Sequence, residues 1–387
     1  MVTVLGAGIG GLTLALALAR KGARVSVLEQ ADALRDVGAG IQLSPNAMQV
    51  LRALGVGQDI AEKSPEAMAV ELCDYQHGKS VLRLDFSGMT DLGGYHLVHR
   101  ADLIEVLAKA ARDAGASLKL GVQVQGLALG AGGVRLDAGD KGHATAPLVV
   151  AADGLKSIAR RALGPAPDPK FTGQTAWRAL VSLAVPVKPE VRVFMGPGRH
   201  LVCYPLRDGH LMNLVAVKEQ KTWRAEGWDI GEDPIALQEA FADFGGPVPD
   251  LLERVTQTHV WGLFRHPVPS VWHRGRLALM GDAVHPTLPF LAQGACMAIE
   301  DAWVLTESLS AHESPAEAFA AYQTARLRRC RRIVAAANRN AWAYHLSLPL
   351  FREAAHLALG VSDKIFPGAA LRRFDWLYCH DVTQAQI

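Results

Sequence analysis

The spacing of apolar positions changes several times along the chain, and each change marks an element. Residues 1–5 form an apolar, β-rich run, residues 12–21 have helical composition, and residues 24–28 alternate as a second strand. A loop marked by glycine and proline, 36–46, leads into a helix over 47–54. Residues 66–97 are strand-like and polar. A helix then opens after His99-Arg100, with Asp102 in its first turn, where negative charge is favoured. Strands are predicted over 118–124, 134–137 and 148–151. Between 171 and 270 the runs become short and β-branched or aromatic, as in Ala176-Trp177-Arg178, and Asp208-Gly209 is a hairpin signal. One helix, 235–244, crosses this region. Residues 277–280 form a buried strand bounded by Gly281, a helix opens near Gln293-Gly294, and 302–309 and 315–339 are helical. The tail, 340–387, is rich in aromatic residues and is expected to pack.

Three strings carry chemistry. In the first, Gly6, Gly8 and Gly11 fit G-x-G-x-x-G between a strand and a helix, with Gly10 inside the run and Glu29-Gln30 ending the next strand. The glycines permit a tight turn and close approach to a pyrophosphate, and an acid about twenty residues on suits a ribose hydroxyl. An acid there disfavours a 2′-phosphate, so FAD or NAD is the expected dinucleotide. The motif does not separate the two. The second string is Asp153-Gly154 with Ser157 and Arg160 three apart on a helical face. The third runs from Gly281-Asp282 through His285, Pro286 and Pro289 to Gln293-Gly294. There Asp282 ends a strand, where α/β sheets place ligand-contacting groups, and a helix start supplies unpaired N–H groups.

These patterns predict an α/β chain with two lobes, α+β in layout. A Rossmann-like nucleotide-binding domain is assembled from 1–70, 98–175 and 271–335. An antiparallel β-sheet substrate domain, 71–97 and 176–270, is inserted into it, and 336–387 is a C-terminal helical segment. A length of 387 residues is long for one core. The net charge of +2 is too balanced to argue for nucleic acid or an anionic membrane as partner. The basic run Arg326, Arg328, Arg329, Arg331 and Arg332 is interleaved with apolar residues and reads as a solvated face of an amphipathic helix. Cys73, Cys203, Cys296, Cys330 and Cys379 are scattered, so neither a metal site nor a disulfide framework is expected, and a reducing cytoplasm fits. Residues 4–19 are apolar but lack a basic leader, and no run of eighteen apolar residues occurs elsewhere. A homodimer is compatible with the sequence, which carries no direct signal of assembly.

Together, in this order, the three strings resemble the fingerprints of the single-component (class A) FAD-dependent aromatic hydroxylases. The resemblance covers about residues 1–340. It leans toward the salicylate hydroxylase and 6-hydroxynicotinate 3-monooxygenase branch through G-A-G-I-x-x-x-P-N at 38–46 and L-A-Q-G-A-C-M-A-I-E-D-A at 291–302. It implies FAD held by Gly6, Gly8, Gly10, Gly11, Glu29, Gln30, Gly40, Arg100, Val124, Asp153, Asp282, Pro286, Gly294 and Ala295. Asp282 would bind the ribityl chain, and the helix start would face the pyrimidine edge of the flavin. The implied cycle uses NADH or NADPH to reduce FAD and O2 to form a flavin C4a-hydroperoxide, which hydroxylates a small phenol or aromatic acid. Gln42, Cys203, Pro289 and Phe290 are implied pocket residues. Gln42 and Phe290 stand where hydroxynicotinate enzymes carry histidines, and Ala292 replaces the first glycine of the common G-Q-G form.

A phenol is activated by losing its proton, so a base is wanted. His200, in an R-H-x-x-x-Y setting with Tyr204, matches the catalytic spacing of that branch, and on a strand positions 200, 202 and 204 share a face. A histidine after Gly196-Pro197-Gly198 is also a common turn residue. His210 beside the hairpin is a weaker candidate, and His285 is expected to make a structural hydrogen bond. Salicylate-like acids are the leading substrate class. The alternatives are an FAD-dependent oxidase or reductase working by hydride transfer, an NAD-dependent dehydrogenase, and a non-catalytic flavin-binding regulator.

Overall fold

The computed structural model describes residues 1–34, 39–164, 168–223, 230–343, 345 and 368–384. Strand β1 (Val2–Leu5) lies inside a six-stranded sheet. On one side are β2 (Val25–Leu28) and β7 (Ser117–Lys119); on the other are β11 (Val149–Ala151), β19 (Leu277–Leu279) and β18 (His273–Arg274). All pair in parallel except the edge strand β18. Leu5 is in register with both Leu28 and Ala151, and Ala151 with Leu279. The residues that follow these strands therefore emerge along one edge: Gly6, Glu29, Asp153 and Asp282. Register alone gathers the three strings.

Helix α1 (Ile9–Arg20) packs on α4 (Arg100–Asp113) and α8 (Gly294–Ala311). Nearly all of α1 is buried, as its apolar composition on every side requires. A three-stranded meander of β8 (Gly126–Gly130), β9 (Gly133–Asp137) and β10 (His143–Ala146) meets α5 (Ile158–Leu163). The strand predicted over 118–124 ends at Lys119. Gly121 adopts φ +69°, and Gly121 and Val122 donate instead to the carbonyls of Ala31 and Glu29.

The second sheet has eight strands. In chain order they are β4 (Ala69–Asp74), β5 (Ser80–Asp85), β12 (Lys170–Ser182), β13 (Glu190–Gly196), β14 (Arg199–Leu206), β15 (Leu211–Glu219), β16 (Ile230–Glu232) and β17 (Thr258–Arg265). Their spatial order is β16-β17-β12-β15-β14-β13-β4-β5, antiparallel apart from β13 with β4. Arg207, Asp208 and Gly209 all take positive φ and close the β14–β15 hairpin. Leu201, Cys203, Leu214 and Ala216 bury one face of this sheet against α6 (Pro234–Ala240) and α7 (Val248–Glu253). The single helix expected over 235–244 is thus shorter. Phe241 turns out of it to stack edge-on with Trp177 and Phe244, and Gly245 passes so close to the Gln76 carbonyl that a Cβ would sit 1.9 Å from its oxygen.

The opposite face turns toward a two-stranded ladder of β3 (Gly40–Leu43) and β6 (His96–His99), which precede α2 (Pro45–Ala53) and α4 respectively, with α3 (Gly57–Ala61) following α2. Long helix α9 (Pro315–Ala343) packs along α8. Arg328, Arg331 and Arg332 of α9 are exposed as the sequence pattern implies, but Arg326 and Arg329 are not solvated. Arg326 is buried and bonded to Asp301 at 2.8 Å and Glu300 at 2.6 Å, while Arg329 reaches Glu300 at 2.7 Å and the carbonyls of Trp376 and Leu377. Two carboxylates on α8 account for this: a buried charge is tolerated only when paired. Among the described residues, no helix is long and apolar enough to cross a membrane.

Replacing Arg326 by Ala leaves buried carboxylates short of a partner, and urea unfolding is expected to show a loss of about 3–5 kcal/mol. Stability also falls in acid. Burial raises the Glu300 carboxyl, but Arg326 and Arg329 outweigh it and hold the group at about 2, against an ordinary 4.5. Its contribution is complete above pH 4.5 and is lost as pH drops toward 2. Thermal melts across that window should show proton uptake on unfolding that is diminished in Glu300→Gln.

Candidate active site

At the first string the chain folds for contact with an anion. Gly6 takes φ +96°, and a Cβ on Gly11 would lie 2.0 Å from the Gly6 carbonyl oxygen, so both positions demand glycine. Gly10 is spare of side chain for a different reason: a Cβ there would meet Ala298 on α8 at 3.0 Å. Gly8 faces open space, with nothing within 4 Å of its missing Cβ. It is also the N-cap of α1 and offers no capping side chain, so the first N–H groups of α1 point out of the helix unsatisfied by a cap. Glu29 accepts hydrogen bonds from the backbone N–H of Ala7 at 2.7 Å and Ala31 at 2.9 Å, which holds its carboxylate beside the glycine turn. Gln30 is exposed just beyond, and Val124 is half-buried against the main core in the loop after β7. A cradle without a Cβ at an uncapped helix start, with a carboxylate alongside, fits a dinucleotide.

The second string grips the third. Arg160 donates from Nε to the Ala283 carbonyl at 2.7 Å and from Nη2 to the Asp282 carbonyl at 2.6 Å. Ser157 caps α5 by accepting from the Arg160 N–H, and Asp153 Oδ2 accepts from Ile158. The other oxygen of Asp153, Oδ1, is buried with no partner, a mark of a site built to receive a donor. Burial raises the Asp153 carboxyl, and it raises that of Asp282 too, against the pull of His285, Arg100 and Arg160. Arg100 opens α4 and is thereby brought to the Asp282 end of the sheet. His285 makes the structural bond expected of it, from Nε2 to Asp301 at 2.5 Å. His285, Asp301 and Cys330 converge closely enough to suggest a metal, but Asp301 is already engaged by an imidazole raised well above its usual range and by Arg326. The Arg326 guanidinium, 2.8 Å from Asp301, takes the place that a cation would need on that carboxylate.

Pro286 is buried and Pro289 exposed on the way to α8. Ala292 adopts a left-handed conformation (φ +52°), the geometry for which a glycine is the usual residue. Gln293 then caps α8 through its carbonyl, which accepts from the Met297 N–H at 2.8 Å, and makes no side-chain cap bond. Its side chain instead donates to Ser44 at 2.8 Å and accepts from Asn46 at 3.2 Å, and Asn46 also reaches Glu300 at 2.5 Å. The segments 39–46 and 291–302 are therefore one hydrogen-bonded unit. The N–H groups of Gly294 and Ala295 start the helix with no side-chain cap and stay half-buried.

Above this unit lies the even-numbered face of the eight-stranded sheet. His200 and Tyr204 both point there, are almost wholly buried, and share the face with Asn213 and Val217 opposite them in register. A Cβ on Gly40 would stand 2.5 Å from the Tyr204 ring, and Gly40 N–H donates to Asn213 at 2.8 Å. Gln42 accepts from Tyr95 at 2.7 Å and also meets the Tyr204 hydroxyl. The His200 ring lies 5.5 Å from Phe290, in an apolar group with Leu288, Ala176 and Trp261. Burial pushes the Tyr204 phenol up and holds the His200 imidazole well below its usual value, with the neighbouring His345 adding to the latter.

Cys203 is the exception. It lies on the odd-numbered face, in the core shared with α6 and α7, where burial pushes its thiol up to about 12. Strand alternation sends it away from His200 and Tyr204, which removes it from the pocket. The fold also brings in residues outside the expected set. Arg178, stacked 5.5 Å over Trp261, shares the His200 face, and the same alternation along β12 would have found it. His345 had no sequence signal, because its contact with His200 spans 145 positions.

Comparison with known proteins bears on this geometry. Residues 1–337 match the model of the FAD binding domain family. The chain is 34% identical to 3-amino-4-hydroxybenzoate 2-monooxygenase PtmB3 of Streptomyces platensis, over 89% of this chain and 88% of the relative. With 3-hydroxybenzoate 6-hydroxylase of Klebsiella oxytoca it shares 33% identity, over 97% and 95%. Among solved structures, Klebsiella pneumoniae HpxO complexed with FAD and uric acid superposes with a TM-score of 0.83 at 27% identity, covering 95% of each chain.

Two glycines should respond differently to a side chain. Gly8→Ala meets open space, so the melting temperature of the flavin-free protein should stay unchanged while bound flavin, read by absorbance, falls. Gly11→Ala drives a methyl into the Gly6 carbonyl and should lower both.

Proposed function

Because the chain belongs to the FAD binding domain family, we propose that it is an FAD-dependent monooxygenase that uses NAD(P)H and O2 to hydroxylate a small, electron-rich aromatic acid of the hydroxybenzoate kind. The observation that carries this reading is the pairing of a buried His200 and Tyr204 with the loop 288–290, directly above the unit formed by residues 39–46 and the start of α8. In balance, the ring C–H, O2, NAD(P)H and a proton become the ring C–OH, NAD(P)+ and water.

FAD, when bound, supplies the two-electron chemistry that links the nicotinamide to O2. Gly8 and the α1 start would hold its pyrophosphate, Glu29 the ribose, and Asp282 with Arg100 the ribityl region. The N–H groups of Gly294 and Ala295 would bind negative charge on the reduced ring, where a helix start is an effective donor. Burial and His345 disfavour the charged form of His200, which leaves the neutral imidazole to accept a hydroxyl proton from the substrate. Tyr204 and Gln42 orient the ring, and Leu288 and Phe290 keep water away. Arg178 on the same face supplies the positive charge that a substrate carboxylate requires. The hydroxybenzoate named for each of the two relatives supports this class, with salicylate-like acids inside it.

Purified protein should be yellow, and a panel of hydroxybenzoates, hydroxynicotinates and neutral phenols should contain a member that stimulates NAD(P)H oxidation and returns hydroxylated. Flavin with only unstimulated peroxide formation would instead favour hydride transfer without oxygen insertion. His200→Ala should keep its flavin and lose about 10²- to 10⁴-fold in kcat for the substrate found.

A further inference from the structure

His200 is a difficult place to leave a proton. Its side chain is almost fully buried against Phe290, where a charged imidazole is costly. A second imidazole lies behind it. His345 Nε2 is 2.7 Å from His200 Nδ1, the ring centroids are 4.9 Å apart, and His345 Nδ1 is 3.0 Å from Glu219 Oε1. Glu219 ends β15, next to β14, and its N–H is held by the Gly198 carbonyl. The His345 side chain is 2% exposed and that of Glu219 55%, so the line of contacts runs from the buried face to water.

We propose that His345 and Glu219 form a proton relay that carries the substrate hydroxyl proton from His200 to solvent. The inference rests on the reading of His200 as the base, and both residues are positioning residues that act through it. The tautomers follow from the acceptor at the far end. A carboxylate only accepts, so His345 carries its proton on Nδ1 and presents a lone pair at Nε2. His200 therefore donates from Nδ1, which makes Nε2 its basic nitrogen. Gln174 is compatible with this arrangement. Its side-chain amide lies 3.2 Å from His345 Nδ1, and a half-turn of that amide, which also gives its buried Oε1 a partner it lacks among the described residues, lets the oxygen share the Nδ1 proton.

The transfer involves protons alone. The substrate O–H bond breaks as a bond forms to His200 Nε2, the Nδ1 proton of His200 passes to His345 Nε2, and the Nδ1 proton of His345 passes to Glu219 and then to water. Protonation of the leaving product runs the line backwards and restores the starting tautomers. Burial lowers the basicity of His345 while Glu219 opposes the effect, so no charge needs to rest on either ring.

The test follows binding in a stopped-flow instrument without NAD(P)H, using the hydroxybenzoate that stimulates the unaltered protein and reading phenolate absorbance. Glu219→Gln keeps an accepting oxygen but takes up no proton, and its exposed position leaves the fold intact. It should slow phenolate formation and kcat about tenfold or more with KM unchanged, a smaller loss than the roughly 10²- to 10⁴-fold expected for the base itself. His345→Ala should do the same and regain rate with added imidazole, which a merely structural role would not produce. Unaltered rates in Glu219→Gln, beside an active parent, would overturn the relay alone. A parent that no member of the panel stimulates would overturn the reading of the site and the relay with it.

Discussion

One buried carboxylate sets the geometry on which the site depends. Asp301, in the middle of α8, accepts from the Gly281 N–H at 3.0 Å, from His285 and from Arg326. Gly281 sits at φ +58° at the end of β19, and Arg160 holds the carbonyls of the next two residues from the other side. The turn that presents Asp282 is thus gripped by its N–H and by its carbonyls at once. Since α8 carries Asp301, the same bonds fix where the start of that helix lies relative to the sheet. An apolar core could stabilise this contact as well, but it would not specify the turn, since dispersion has no direction and hydrogen bonds do.

The two sheets meet where a side chain is missing. Gly40 lets the Tyr204 ring lie against β3, and its N–H anchors Asn213. That close approach brings the even-numbered face of the substrate sheet to the segment that Gln293 ties to α8. The base, the aromatic wall at Phe290 and the helix start come from elements far apart in the chain and are set by this contact. Glu300 shows the same economy: one carboxylate serves Asn46 on α2 and two arginines of α9, and Arg329 extends the link to the C-terminal segment through the Trp376 and Leu377 carbonyls.

Much of this was legible in the chain as written. The glycine turn, Glu29, the Asp153 string and the Asp282 string each state a local backbone need, and local needs leave residue types behind. The alternation of β14 placed His200 and Tyr204 on one face, and by the same rule it placed Cys203 on the other. The resemblance implies Cys203 for the pocket, and the period of the strand turns it to the opposite face. The arginines of α9 misled for a different reason. A basic helical stripe looks solvated until the carboxylates that bury it are known, and those lie on another helix.

The sequence by itself therefore determined most of the elements, though not the ends of β7 and α6, and also the nucleotide-binding turn, the family and the identity of a candidate base, because each depends on spacing within a few residues. Tertiary structure alone decided that Arg160 clamps the Asp282 turn, that Gln293 answers to Ser44, that Arg326 is an interior residue, and that His345 stands behind His200. These are contacts between positions 120 to 250 apart for Arg160 and Gln293, 25 apart across two helices for Arg326 and Asp301, and 145 apart for the histidines. A hydrogen bond or ion pair of that kind constrains two side chains in space without constraining the residues between them, so no local pattern records it.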